Sequence, residues 1–409
     1  MKRAAAVFIV VAVAVICGPK VWATDHGFIF GTVVTDRGDE YTGRIRWDKN
    51  EGFWDDIIDA TKYDEDRYES RPNRKRRIKI FGLTIGTDGD FWDWSSSSQI
   101  RFGHIQRIEP RSRGRATVTL KNGEKVRFED SGSDIGSGVR GIQVDVEDEG
   151  IIELDWNDLE RVEFFPEPDD YRPTEPDVER LYGHVQTETG EDFVGFICWD
   201  ADEIYSTDIL DGEEHNLDRE IKFGTIERIE KHSRKASMVT LKSGREMKLS
   251  GTNDVDSDNR GIFIVLADLG QVKVNWDEFE SLTFMSPPPG AMLTYDRFDG
   301  GRPLLGTVTD EDGKDYRGHI VWDNDERFTW EFLNGEDDDL EYDVEFGQIL
   351  SIERRSGRSA IVHLRDGKQL RLRGSNDVDD DNKGIFVETD DGDVVELYWD
   401  EFEKVAFEF

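Results

Sequence analysis

Internal repetition is the feature that most constrains how this chain folds. The segments "IRFGHIQRIE" (100–109), "IKFGTIERIE" (221–230) and "VEFGQILSIE" (344–353) recur at intervals of 121 and 123 residues. Upstream of them stand "GTVVTDRGDEYTGRIRWD" (31–48), "GHVQTETGEDFVGFICWD" (183–200) and "GTVTDEDGKDYRGHIVWD" (306–323). Downstream stand "DWNDLERVEF" (155–164), "NWDEFESLTF" (275–284) and "YWDEFEKVAF" (398–407). Solenoid units run to roughly 20–50 residues, so each copy here is long enough to be a domain.

Each copy divides again. In repeat 2 the first half ends on apolar residues at Ile221, Phe223, Ile226 and Ile229, and the second on Val274, Trp276, Phe279 and Leu282, with the same spacing. Before both endings, alternating segments are separated by Gly turns, as in "MVTLKSG", "REMKLSG", "GIFIVLADLG" and "QVKVNW". Alternation at period two marks half-buried strands, about five short ones in each half. The fold class is all-β. Strands in this order, with a single helical turn between the fourth and fifth, resemble the SH3-like and Sm-like small β-barrels, and "TxxGxxYxGxIxWD" in the first halves is the more Sm-like part. The resemblance implies three repeats, each a pair of five-stranded barrels. It implies no activity, because such barrels serve unrelated functions.

Proline marks the joints. Pro166, Pro168, Pro173 and Pro176 fall in one connector, and Pro287, Pro288, Pro289 and Pro303 in another. The expected organisation is repeat 1 over 24–165, a linker at 166–178, repeat 2 over 179–286, a linker at 287–303 and repeat 3 over 304–409. Pro-rich linkers favour extended, stiff conformations, so the repeats are expected as separate beads, with a compact arrangement such as a six-bladed propeller as the alternative. Repeat 1 carries an insertion at about 52–98, since Trp47 and Ile100 lie much further apart than Trp199 and Ile221.

The N-terminus reads as a signal peptide over residues 1–23. Lys2 and Arg3 precede the uncharged run Ala4 to Cys17, and Val21-Trp22-Ala23 supplies a cleavage site. The run is shorter than the roughly 20 residues of a bilayer span, which leaves an uncleaved anchor as the alternative. A secreted or periplasmic location follows. Cleavage removes Lys2, Arg3 and Lys20 and no acid, taking the formal charge from -38 to -41. Such a surface repels nucleic acid and anionic lipid and attracts cations and basic partners. The mature chain retains only Cys198, so no intrachain disulfide forms.

Three groups of residues are candidates for function. The acidic loops "TNDVDSDNRG" and "SNDVDDDNKG" place Asp254, Asp256 and Asp258, and Asp377, Asp379 and Asp381, two residues apart, as calcium loops do. Aligned on Gly141, repeat 1 has Gly136 and Gly138 where the others have aspartates, and turns accept Gly and Asp alike. A polar turn is therefore the preferred reading, with weak calcium binding as its rival. The insertion carries the basic cluster Arg74, Lys75, Arg76 and Arg77 and the aromatic group Phe91, Trp92 and Trp94, candidates for docking a partner. Six recurrent tryptophans, Trp47, Trp156, Trp199, Trp276, Trp322 and Trp399, read as core. The sequence around Gly136 fits GxGxxG, but a strand pattern follows where a nucleotide site needs a helix.

No histidine recurs at an equivalent position, and HExxH, GxSxG and GxxxxGK[ST] are absent from the sequence. The expected function is a non-enzymatic, exported repeat protein that binds a macromolecule, protein or glycan, at the cell envelope or outside the cell. No cofactor is expected beyond calcium. The alternatives are an enzyme with one site near the insertion, or a calcium-binding extracellular module.

Overall fold

The computed structural model describes residues 26–63, 78–80, 83–85, 96–111, 114–130 and 134–409. The signal-peptide reading, Arg74 to Arg77, and Phe91, Trp92 and Trp94 lie outside the described residues. The described chain is all-β, with antiparallel sheets of ten, ten and eight strands and two separate hairpins. Its only helical elements are single 3-10 turns, and no helix is long and apolar enough to cross a membrane.

Repeat 2 shows the common plan. An opening hairpin (Tyr182–Thr187 and Asp192–Trp199) is followed by a second hairpin (Ile209–Glu214 and Leu217–Lys222), a 3-10 turn at Phe223–Thr225 and the strand Ile226–Ser233. A third hairpin (Ala236–Leu241 and Glu246–Leu249), a fourth (Ile262–Leu266 and Gly270–Val274) and the closing strand Phe279–Phe284 complete it. The strands expected from alternation are present, and the GxGxxG of repeat 1 is followed by the strand Ile142–Val146.

The pairing crosses the boundary between halves. The opening hairpin pairs with the closing strand, Gly183 opposite Phe284, and with the fourth hairpin, Trp199 opposite Ile262. The third hairpin pairs instead with Ile226–Ser233, the last strand of the first half. A bridge between Glu213 and Ser250 ties it to the second hairpin. Each five-strand set thus draws its first hairpin from one half and its remaining strands from the other. Repeats 1 and 3 do the same, with Gly31 opposite Phe164 and Gly306 opposite Phe407.

The apolar endings read from the sequence lie inward: Phe223, Ile226, Ile229, Val274, Trp276, Phe279 and Leu282 are buried, and so are all six recurrent tryptophans. Trp199 packs edge-on against Trp276 at 6.4 Å between ring centres, and Trp47–Trp156 and Trp322–Trp399 repeat that contact at 6.0 and 6.2 Å. These rings fill the junction between the opening hairpin and the turn before the closing strand. They are core.

The proline joints do not act as spacers. Tyr171 in the first joint donates to the Asp145 carbonyl, and Glu167 pairs with Arg44 at 2.7 Å. In the second, the Tyr295 hydroxyl donates to the Ile105 carbonyl at 2.8 Å and Phe298 covers Gly103. Both joints lie on repeat 1, and the bead arrangement gives way to three repeats that each touch the other two. Repeats 2 and 3 share one apolar core, and Trp330 of repeat 3 is buried within that of repeat 1. Proline fixes the path of these connectors. Their aromatic residues then supply the apolar area that draws them back.

Candidate metal centres

The recurrent Trp-Asp ends the opening hairpin and starts a tight turn. In "WDKNE" (47–51), "WDADE" (199–203) and "WDNDE" (322–326), Trp and Glu exchange backbone hydrogen bonds; Trp199 N donates to Glu203 O at 2.9 Å and Glu203 N to Trp199 O at 3.0 Å. The two residues after each Trp are left-handed, with φ of 49° and 59° at Asp200 and Ala201, and 42° and 73° at Asp323 and Asn324. Asp and Asn tolerate that region better than other non-glycine residues, so turn geometry explains why Asp follows Trp.

The tryptophan then reaches across to the acidic loop. Trp47, Trp199 and Trp322 each donate Nε1 to a backbone carbonyl at 2.9 Å, those of Asp134, Asp254 and Asp377. The side chains of the same three aspartates accept the N–H groups of Asp59, Asp211 and Asn334 at 2.6, 2.6 and 2.7 Å. One indole and one backbone amide hold this carboxylate beside the turn.

The result is a carboxylate cluster. Asp200, Glu203 and Asp254 bring one oxygen each to within 4.8 Å of one another, and Asp323, Glu326 and Asp377 do the same. Repeat 1 places Asp48, Glu51 and Asp134 at the same positions, where Asp134 and Asp48 raise the Glu51 carboxyl well above its usual range after burial has done most. In all three repeats the buried Glu Oε2, of Glu51, Glu203 and Glu326, has no hydrogen-bond partner. Burial is also the first cause of raised carboxyls in the other two. Glu203 is pushed up to about 9, Asp254 to about 6 and Asp323 to about 7, while Glu326 and Asp377 stand well above the usual range. Taking several carboxylates out of water together is costly unless a proton or a cation shares the site.

The clusters differ in the cations already present. Arg140 bonds Asp48 through Nε at 3.0 Å, and Arg260 bonds Asp200 through Nη2 at 2.9 Å; both reach on to Asp202. In repeat 3 the corresponding residue is Lys383, whose Nζ stays 4.0 Å from Asp323. Between repeats 1 and 2 a cavity of about 410 Å³ opens onto Glu51, Asp59, Asp134, Arg140, Cys198 and Arg260. Cys198 is half-buried there, and burial raises its thiol, which leaves it a poor nucleophile.

Of the six aspartates singled out in the sequence, Asp254 and Asp377 belong to these clusters. The other four shape the loop. Asp256 and Asp379 accept the backbone N–H groups of Asp258 and Asp381 at 2.9 and 3.0 Å, and Asp258 and Asp381 are exposed. The turn is not shared with repeat 1, however. Asp256 is extended at φ -145°, while Gly136 is at φ +98°. Sequence reasoning missed Asp200, Glu203, Asp323 and Glu326, although WDxxE recurs in every repeat. A glutamate repeated at one offset from a core tryptophan was the signal.

No protein-family model matches this chain, and no curated protein or solved structure is significantly similar to it.

Proposed function

We propose that this protein is a non-enzymatic, exported binding or structural module that engages a macromolecular partner, protein or glycan, at the cell envelope or outside the cell. The observation that carries the reading is the joining of three like repeats into one body through buried contacts. Repeated surface elements are then held at fixed spacing, so that several modest contacts act together without an ordering cost. A formal charge of -38 favours a partner bearing positive groups. The N-terminal apolar run supports export. We also assign the five-strand set built on each opening hairpin to the SH3-like order, because a hairpin, a second hairpin, a one-turn connection and a strand returning to the first follow in that sequence. In the other set the hairpin that the strand meets comes last in the chain, a permuted form of the same order.

The test uses the full mature chain, immobilised and incubated with envelope and culture fractions. One stoichiometric partner, released as ionic strength rises, is the expected result. Turnover of substrate in a hydrolase panel, lost on deleting residues 64–95, which spares the strands Ile57–Lys62 and Ser96–Arg101, overturns it in favour of an enzyme.

A further inference from the structure

The carboxylate cluster of repeat 3 carries an inference independent of that reading. We infer that Asp323, Glu326 and Asp377 form a calcium site, with Asp200, Glu203 and Asp254 a weaker copy of it in repeat 2.

An acidic cluster alone is common without an ion, but two observations here go further. Glu326 is only 7% exposed, and its Oε2 is sealed from water and has no hydrogen-bond partner among the described residues. A buried polar atom in that condition is costly, so its persistence calls for a partner. Among the described residues the acids here are many: Asp325 and Glu331 adjoin the three carboxylates, and Lys62 and Lys383 act on the group. Lys62 is committed to Glu331, and the half-exposed Lys383 reaches no closer than 4.0 Å to Asp323.

Donor chemistry selects the ion. The donors are carboxylate oxygens with no sulfur or imidazole among them, which suits a hard cation rather than zinc. Calcium takes about 6–8 oxygen ligands, several carboxylates among them, whereas magnesium keeps most of its waters and is held by only one or two carboxylates. The three carboxylates gathered here, each with an oxygen within 4.8 Å of the others, suit the first habit better than the second. Each aspartate oxygen that accepts a backbone N–H keeps a second lone pair for the ion. Those bonds also fix the carboxylates before the ion arrives, and water completes the coordination.

Repeat 2 has the same donors in a weaker form. Arg260 already occupies Asp200, and Glu203 is only half-buried. A cation entering there competes with a guanidinium that repeat 3 lacks.

The experiment uses the full chain, stripped by a chelator and titrated with calcium chloride in a calorimeter. Thermal melts run in parallel in calcium and in magnesium at equal ionic strength. Expected are calcium-specific binding in the micromolar to millimolar range and a rise in melting temperature that magnesium does not reproduce. Glu326→Gln is expected to weaken the tighter site at least tenfold and remove most of that rise. Without calcium it is expected to melt at or above the wild-type temperature, because the amide keeps the shape and removes a charge. Terbium emission sensitised through Trp322, displaced by calcium and not by magnesium, reads the wild-type site if the variant fails to fold. Equal stabilisation by both ions together with no displaceable terbium emission overturns the inference. So does a folded Glu326→Gln that binds calcium as wild type does. In either case Glu326 is a neutral acid sharing its proton with a neighbouring carboxylate.

Discussion

The seam between repeats 1 and 2 and the seam between repeats 2 and 3 join near-copies of the same unit by different physics. At the first, Arg180 lies between the rings of Phe53 and Phe196, 4.3 and 4.2 Å from their centres, and pairs with Asp55 and Asp56 at 2.6 and 2.5 Å. All three charged side chains are almost fully buried, beside a small apolar cluster of Phe28, Phe53 and Ile204. At the second, the strand Gly270–Val274 pairs with Leu340–Glu345 through backbone hydrogen bonds over one continuous core. The corresponding strand of repeat 1, Gly150–Leu154, lies at a sheet edge with Ile151 half exposed. Contacts that define a repeat are therefore separable from contacts that order the repeats. Only the first kind leaves a periodic mark in the sequence.

The largest expected effect breaks the charged seam. Arg180→Ala leaves two buried aspartates without their cation, and is expected to cost about 3–5 kcal/mol of unfolding free energy in urea. Arg180→Ala combined with Asp55→Asn and Asp56→Asn is expected to recover a large part of it. A loss below about 1 kcal/mol for the single variant means that the seam rests on its apolar contacts.

The paired seam is tested at Gly270. A Cβ there stands 2.1 Å from the Asp343 carbonyl oxygen, and φ is +145°. At Gly150, φ is +95° and the space is open. Both positions resist side chains on backbone grounds, so their difference isolates the sheet contact. Gly270→Ala is expected to cost about 1–3 kcal/mol more than Gly150→Ala. Equal losses reject a role for the pairing.

The smallest effect concerns the contact between repeats 1 and 3. Asp59 is an exposed residue of its strand, and local desolvation first, then Asp134 and Asp343, push its carboxyl up to about 7, against an ordinary value near 3.9. A carboxyl raised in the folded state binds its proton more tightly there. Its stability contribution is full below about pH 4 and is lost as pH rises through about 7. Repeat 3 has Asn334 at the equivalent place. Asp59→Asn is expected to leave the melt unchanged at pH 4 and to stabilise the chain at pH 8. The gain is expected below about 1 kcal/mol, because Asp59 is exposed and screened by solvent and the proton is shared among neighbouring acids. Destabilisation at pH 8 rejects this account.

The residues that were legible before the structure are those whose surroundings recur. Alternation around Ile226, Phe279 and Trp276 marked strands and core correctly, because local burial follows side-chain period. The clusters were half legible. Asp254 and Asp377 stood out in an acidic loop, but Asp200 and Asp323 looked like turn residues, which they also are. Their meeting depends on the Trp199 and Trp322 indoles bonding carbonyls 55 positions away, and spacing does not encode that. The seams were not legible at all. Arg180 occurs once, and nothing in a single arginine says which aspartates it will meet.

The exchange of hairpins between halves governs the order in which this chain assembles. The opening hairpin of each repeat leaves the ribosome first, and its partners, the fourth hairpin and closing strand, leave last. Gly183 waits for Phe284, and Gly31 for Phe164. Chain closure over such separations is slow, and the apolar faces stay open meanwhile. A hairpin waiting for its own closing strand also meets the near-identical strands of its neighbours, as "DWNDLERVEF", "NWDEFESLTF" and "YWDEFEKVAF" present much the same surface. Vectorial synthesis settles that choice by delivering the first closing strand before the second opening hairpin exists. Dilution from denaturant releases all three at once, and the refolding chain has to sort them.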